Sequence, residues 1–187
     1  MRTILSLLFA IATFNLAACT NNPSSTNNMN KKAIVIYFSA TGTTKDVAKR
    51  LAGIADTDLQ EITPEQPYTA EDLDWNDKQS RSSVEMGNPK SRPGIRPLEA
   101  DISQYAIIFI GYPIWWDLAP TAVNTFIENH RLEGKTLVPF ATSGGSTIQN
   151  SVTQLKAAYP NIVWKEGKLL NHPSDSSLSQ WVESLGL

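Results

Sequence analysis

Three short stretches of this chain carry the residue types that bind small molecules. The first is Ser39-Ala40-Thr41-Gly42-Thr43-Thr44, a hydroxyl-rich loop directly after an apolar run. Backbone N–H and hydroxyl donors at a helix entrance bind anions, because the first N–H groups of a helix have no intrahelical acceptor and the helix dipole is positive there. No lysine lies within the loop, so anion binding here uses neutral hydrogen bonds rather than charge pairing. The second stretch is Gly111-Tyr112-Pro113-Ile114-Trp115-Trp116-Asp117. Adjacent residues of an extended chain face opposite sides, so the two indoles cannot both enter one core. At least one is expected to be partly exposed, and a planar ring stacked on it would explain its presence. The third is Thr142-Ser143-Gly144-Gly145-Ser146-Thr147, where the glycines let backbone N–H groups approach a ligand edge closely.

The surrounding sequence positions these loops. Ala33–Phe38, Ala106–Gly111 and Thr136–Ala141 are nearly continuous apolar runs, which read as strands buried on both faces. After each loop comes a helical pattern: Val47, Ala48, Leu51 and Ile54; then Val123, Phe126 and Ile127 behind Pro120, with Gly134 as the expected stop; then Ile148, Val152 and Leu155. Asp58–Ile62 is a short strand at or near a sheet edge. Ile162–Leu170 is a last strand interrupted at Glu166-Gly167, and Ser174–Leu185 a last helix with Leu178, Trp181, Val182 and Leu185 inward. Between them, Thr63–Tyr105 is polar; Glu71–Met86 is expected to be helical and Asn88–Pro97, with its three prolines, irregular. Strand, loop and helix in alternation predict a parallel sheet with helices on both faces, and ligands bind such sheets beyond the carboxyl ends of the strands.

The chain has 187 residues, 41% of them hydrophobic, enough for one well-buried core. A net charge of −2 and no basic stretch argue against a nucleic-acid partner, and also against docking through a dense acidic patch. A single cysteine excludes an internal disulfide framework and a Cys-based metal site, and no Ser–His–Asp set, carboxylate pair or metal cluster stands out. His130 and Arg131 suit a helix C-terminus.

Residues 1–18 read as an export signal: Arg2, then an apolar core from Ile4 to Ala18 that is short for a membrane span. Leu16-Ala17-Ala18-Cys19 resembles a bacterial lipobox, which implies lipidation of Cys19 and attachment to the membrane of a bacterium, on the periplasmic side. Thr20 carries no signal for retention at an inner membrane, and without a twin-arginine pair a cofactor has to be acquired after export. Residues 19–30, rich in Asn, Ser and Thr, read as a flexible tether spanning roughly 20 Å. A start at Met29 would instead make the protein cytoplasmic. The folded domain is expected to be residues 31–187.

Neither the dinucleotide pattern G-x-G-x-x-G nor the P-loop is present. Ser39-Ala40-Thr41-Gly42-Thr43-Thr44 instead resembles the phosphate loop of the flavodoxin family. Gly111-Tyr112-Pro113-Ile114-Trp115-Trp116 is similar to the ring-contacting loop of a bacterial subfamily, a more specific match because it holds several rare residue types in order. The resemblance covers about residues 31–187 and implies a flavodoxin-like sheet of five strands in the order 2-1-3-4-5. It also implies FMN as cofactor. Ser39, Thr41, Gly42, Thr43 and Thr44 would hold the phosphate; Pro113, Ile114, Trp115 and Trp116 would line the isoalloxazine ring; Ser143, Gly144, Gly145 and Ser146 would meet its other edge. A response-regulator domain has the same fold but needs an acidic pocket after strand one and an aspartate after strand three, where this chain has Ser39-Ala40-Thr41 and Tyr112-Pro113.

Three roles follow. One is an electron carrier with FMN. The second is an NAD(P)H-dependent reductase of quinone-like acceptors, with a pocket supplied by residues 63–105. The third is a lipid-anchored binding protein that has kept the scaffold and lost the cofactor. Aromatic faces without nearby cations would disfavour the negatively charged reduced flavin and lower its potential. Tyr68 is either a flank of the cofactor or a packing residue, and Arg81, Arg92 and Arg96 are either phosphate contacts or solvent-facing cations.

Overall fold

Alternate residues of the first strand, β1 (Ala33–Tyr37), enter two separate cores, and the architecture follows from that division. The computed structural model describes residues 32–187; the expected export signal, Cys19 and the tether lie outside the described residues. Ile34, Ile36 and Phe38 pack on one side with Ile108, Ile110 and Tyr112, while Val35 and Tyr37 pack on the other with Phe109, Val138 and Phe140. A strand with both faces covered has no polar side, which is why the runs read as continuous rather than alternating.

The elements that follow are α1 (Thr43–Ala55), β2 (Asp58–Glu61), α2 (Arg81–Gly87), β3 (Ile107–Pro113), α3 (Thr121–Asn129), β4 (Thr136–Thr142), α4 (Gln149–Ala158), β5 (Val163–Trp164), β6 (Lys168–Leu169) and α5 (Asp175–Ser184). All strand pairings in the sheet are parallel, in the order β2-β1-β3-β4-β5, as the resemblance implied. β5 and β6 both pair with β4 and are the two halves of the interrupted fifth strand. Between them Gly167 lies so close to Val152 and Ile148 that a Cβ would stand within 3 Å of each. α1 and α5 cover one face of the sheet; α3, α4 and part of the segment after β2 cover the other.

Two expectations about helices are corrected. Glu71–Met86 is not one helix: a single 3-10 turn at Glu71–Leu73 is followed by turns, and α2 begins only at Arg81. The cause is local, since Asp74 accepts a hydrogen bond from the Asn76 N–H and Asp77 from the Gln79 N–H, and such side-chain bonds compete with helix formation. α3 ends at Asn129 rather than near Gly134, because His130 leaves the helical conformation and its Nδ1 caps the Phe126 carbonyl at 2.7 Å.

The long excursion after β2 is closed at its base. Pro64 bridges Ile95, Glu65 N donates to Gly94 O and Arg96 N to Thr63 O. The excursion is fastened to the body through Arg92, which forks onto Glu128 of α3, and through Thr125, which donates to the Pro93 carbonyl.

Candidate functional site at the carboxyl rim of the sheet

The sheet brings the first two loops side by side. Tyr37 is registered with Gly111, and the Phe38 N–H continues the pairing by donating to the Gly111 carbonyl. The third loop joins them from β4, where the Ile114 N–H donates to the Thr142 carbonyl and the Thr142 hydroxyl lies 2.8 Å from that of Thr44.

In the hydroxyl loop, Ser39 Oγ accepts the Gly42 N–H, folding the loop into a tight turn. Gly42 has a φ of 94°, in the left-handed region that glycine occupies without strain. The first intrahelical bond of α1 runs from Asp46 N to Gly42 O, so the N–H groups of Thr43, Thr44 and Lys45 have no acceptor within the helix. Thr41 and Thr43 are exposed, their hydroxyls 3.4 Å apart, while Thr44 is buried. The adjoining Lys45 is paired with Glu61 at 2.9 Å, and Glu61 also accepts from Tyr37; burial, then this carboxylate, raises the Tyr37 pKa and keeps it a phenol.

The tryptophan loop is a two-residue hairpin. Trp115 and Leu118 exchange both backbone hydrogen bonds, and Trp116 and Asp117 between them have φ of 45° and 64°. Positive φ at both central residues is the type I′ arrangement, which favours Asn-Gly; a tryptophan there is strained. The two indoles diverge as the chain geometry required. Trp115 packs edge-on against Phe38 at 5.5 Å and Tyr68 at 5.3 Å between ring centroids, whereas Trp116 is 46% exposed.

Both indoles border a cleft of about 410 Å³, with Thr41, Ile114, Leu73, Trp75 and Ser82 completing its walls. Its size falls in the range of small-molecule sites, and its walls are predominantly apolar. Thr41, Ile114, Trp115 and Trp116 are thus brought to one space. Pro113, the last residue of β3, is half-buried behind them, and Ser39, Gly42, Thr43 and Thr44 form the adjoining turn. Ser143, Gly144, Gly145 and Ser146 lie on the same rim but are not part of the cleft wall. Their loop is drawn together internally: Ser143 Oγ accepts from the Gly145 and Ser146 N–H groups, and the Ser143 backbone and the Asn171 side-chain amide exchange two hydrogen bonds.

Leu73, Trp75 and Ser82 are not among the residues the sequence pointed to. An indole isolated in a charged stretch, Asp74-Trp75-Asn76-Asp77, was the available signal, and Trp75 is 71% exposed. Ser82 carried no signal at all, yet its Oγ is buried and has no hydrogen-bond partner. An unpartnered buried hydroxyl costs about 1–3 kcal/mol.

The expectation of a site without cations needs correction. Arg81 lies 4.0 Å over the Tyr68 ring, which is itself packed against Trp115. Its charge is matched by Glu85, which takes hydrogen bonds from both Arg81 and Tyr68. Tyr68 is therefore a half-buried packing residue behind the cleft, its pKa raised by burial and then by Glu85. Arg92 is likewise paired, with Glu128. Among the described residues no group of His, Cys, Asp and Glu is placed to hold a metal, and no helix is long and apolar enough to cross a membrane.

Residues 32–185 match the flavodoxin family. Among solved structures, a protein of Bacteroides eggerthii described as a flavoprotein is 56% identical, with a TM-score of 0.82, covering 84% of this chain and 99% of that one. A second, from Bacteroides uniformis and described in the same way, is 50% identical with a TM-score of 0.79, covering 82% and 98%. A flavoprotein of Lactobacillus acidophilus, solved in complex with FMN, is 26% identical with a TM-score of 0.61, covering 81% and 99%. No curated protein matches the chain.

Proposed function

The chain belongs to the flavodoxin family, whose cofactor is FMN, and we propose that it acts as an electron-transfer protein through FMN held at the carboxyl rim of the sheet. The observation that carries this reading is the single cleft shared by Thr41 of the hydroxyl loop and the indoles of Trp115 and Trp116. The residues fit the cofactor. The free N–H groups at the start of α1, with the Thr41 and Thr43 hydroxyls, supply neutral donors for a phosphate. Ile114 and the indoles supply flat apolar surface for the ring. When bound, FMN supplies the redox chemistry; the protein binds, orients and shields it. Trp115, held by Phe38 and Tyr68, gives a rigid wall, while the exposed Trp116 leaves the rim accessible to a redox partner.

Ser39, Gly42 and Thr44 shape the phosphate turn in this reading, and Pro113 sets the direction of the tryptophan loop. Ser143, Gly144, Gly145 and Ser146, on the same rim, would meet the other edge of the ring. We also propose that Cys19, outside the described residues, is lipidated after export and anchors the domain to the membrane.

Titration of the purified chain with FMN tests the binding: flavin fluorescence is quenched to a 1:1 end point, and a chain that leaves it unquenched is the cofactor-free binding protein instead. The reductase role gains support from Leu73, Trp75 and Ser82, which extend the cleft wall from the excursion after β2. Bound flavin that stays yellow with NADPH alone but is bleached by dithionite identifies a carrier; rapid bleaching by NADPH identifies a reductase.

A further inference from the structure

We propose that Trp75 is a flavin-contacting residue, its indole meeting the isoalloxazine ring from the side of the cleft that the excursion after β2 supplies. The inference rests on the FMN-binding reading above, holds for a carrier and a reductase alike, and adds a residue that belongs to none of the three rim loops.

Trp75 is 71% exposed, belongs to neither core and takes part in no aromatic pair among the described residues. Trp115, by contrast, packs on two rings. An indole left in water forfeits the burial that makes tryptophan a stabilising side chain, so Trp75 does little for the fold. Its backbone is nonetheless held on both sides. Thr69 and Asp72 exchange side-chain-to-backbone hydrogen bonds around the turn before it. After it, the Asp74 carboxylate accepts from the Asn76 N–H and the Asp74 carbonyl from the Asp77 N–H. The excursion that carries this turn is itself tied to α3 through Arg92 and Thr125. The chain thus orders a large apolar side chain that it leaves mostly uncovered, and the space that side chain borders is the cleft.

A wall fixed before binding lets a ligand bury apolar area without the entropy cost of ordering that wall. The cleft also sets the kind of occupant. No charged side chain of the described residues lines it; Trp75, Trp115 and Trp116, with Leu73 and Ile114, make it apolar, and Thr41 joins it to the phosphate turn. A ligand with its anion at that turn therefore lays an uncharged, flat portion toward the indoles, and isoalloxazine has that shape. Of the rim loops, the one at Ser143-Gly144-Gly145-Ser146 contains no aromatic residue and lies outside the cleft wall. Aromatic contact beyond that of the tryptophan loop thus falls to the excursion, and ring-on-ring packing adds to the gain from burial alone.

Oxidative footprinting of the full chain, read by peptide mass spectrometry, tests the inference without any substitution. Trp75 and Trp116 are expected to be oxidised readily in the FMN-free protein and to be protected by saturating FMN, whereas inorganic phosphate protects neither. In a flavin-fluorescence titration, Trp75→Ala is expected to weaken FMN binding about tenfold, the loss of one aromatic contact with its buried area. Trp75→Phe is expected to recover part of that affinity. The melting temperature of the FMN-free protein is expected to stay the same in both variants, since the side chain belongs to neither core. Trp116 protected by FMN while Trp75 stays fully reactive overturns the assignment and leaves FMN binding intact. An alanine variant within about twofold of wild-type affinity does the same. Protection of Trp75 by phosphate alone also overturns it, because the ring then plays no part. A wild-type chain that takes up no FMN overturns the functional reading and this inference together.

Discussion

The hydroxyls of Thr44 and Thr142 lie 2.8 Å apart in the interior although 98 residues of chain separate them. The contact joins the start of α1 to the end of β4, and so sets the phosphate turn against the third loop. Thr44→Val is expected to destabilise the FMN-free protein by about 1–3 kcal/mol, because the Thr142 hydroxyl is left buried and unpartnered. The double variant Thr44→Val/Thr142→Val is expected to be more stable than the sum of the single losses predicts. Urea denaturation of all four proteins closes the cycle; strict additivity contradicts the contact.

The strained turn at Trp116 predicts a separation of stability from binding. Glycine tolerates positive φ where tryptophan does not, so Trp116→Gly is expected to leave the melting temperature of the FMN-free protein unchanged or raise stability by about 1 kcal/mol. FMN affinity is expected to fall at least about tenfold, as stacking area is lost. Trp115→Ala serves as the contrast: with its packing on Phe38 and Tyr68 gone, it is expected to lose about 3 kcal/mol of stability as well. Thermal melts and fluorescence titrations distinguish the two, and a destabilised Trp116→Gly would show that this indole serves the fold.

Gly111 is demanded by its cross-strand neighbour. A Cβ there would stand 2.1 Å from the ring of Phe140, which is registered directly opposite and completely buried. Neither strand can move without disturbing the centre of the sheet, so Gly111→Ala is expected to cost about 3 kcal/mol. Gly111→Ala/Phe140→Leu is expected to recover part of it. Chemical denaturation measures both, and a neutral Gly111→Ala refutes the packing.

Acid is expected to loosen the attachment of the excursion after β2. The Arg92 hydrogen bonds, then the one from Tyr159, hold Glu128 below its usual pKa of 4.5, against the opposing effect of partial burial. A depressed carboxylate contributes stability that is fully present above its unfolded pKa and is lost as pH falls through the folded value. The window therefore lies below about pH 4.5. The pair is substantially exposed, so screening limits its worth to about 1 kcal/mol or less. Arg92→Ala is expected to be slightly less stable than wild type at neutral pH, with a smaller gap once Glu128 is protonated and only the Arg92 bonds to the Pro89 and Ser91 carbonyls distinguish the two. Limited proteolysis within residues 88–97 should report the same difference; a gap between the two proteins that widens in acid contradicts the sign.

Much of the molecule was legible in its amino-acid order because the determining interactions are local or periodic. Continuous apolar runs such as Ile34–Phe38 can only be buried on both faces, and hydroxyl residues before Val47, Ala48 and Leu51 mark a helix entrance. The adjacency of Trp115 and Trp116 by itself required their divergence. The boundaries that misled were decided by side chains bonding to nearby backbone, at Asp74, Asp77 and His130.

What the tertiary structure alone decided is which residues share a space. Trp75 and Ser82 come to Thr41 and Trp115 only because the chain closes its excursion at Pro64 and Ile95 and fastens it through Arg92 to Glu128. No periodicity records a contact between segments so far apart. Whether a hydroxyl is satisfied is likewise a property of its surroundings: Ser80, Ser82 and Ser83 are alike in sequence, and only folding leaves one of them without a partner.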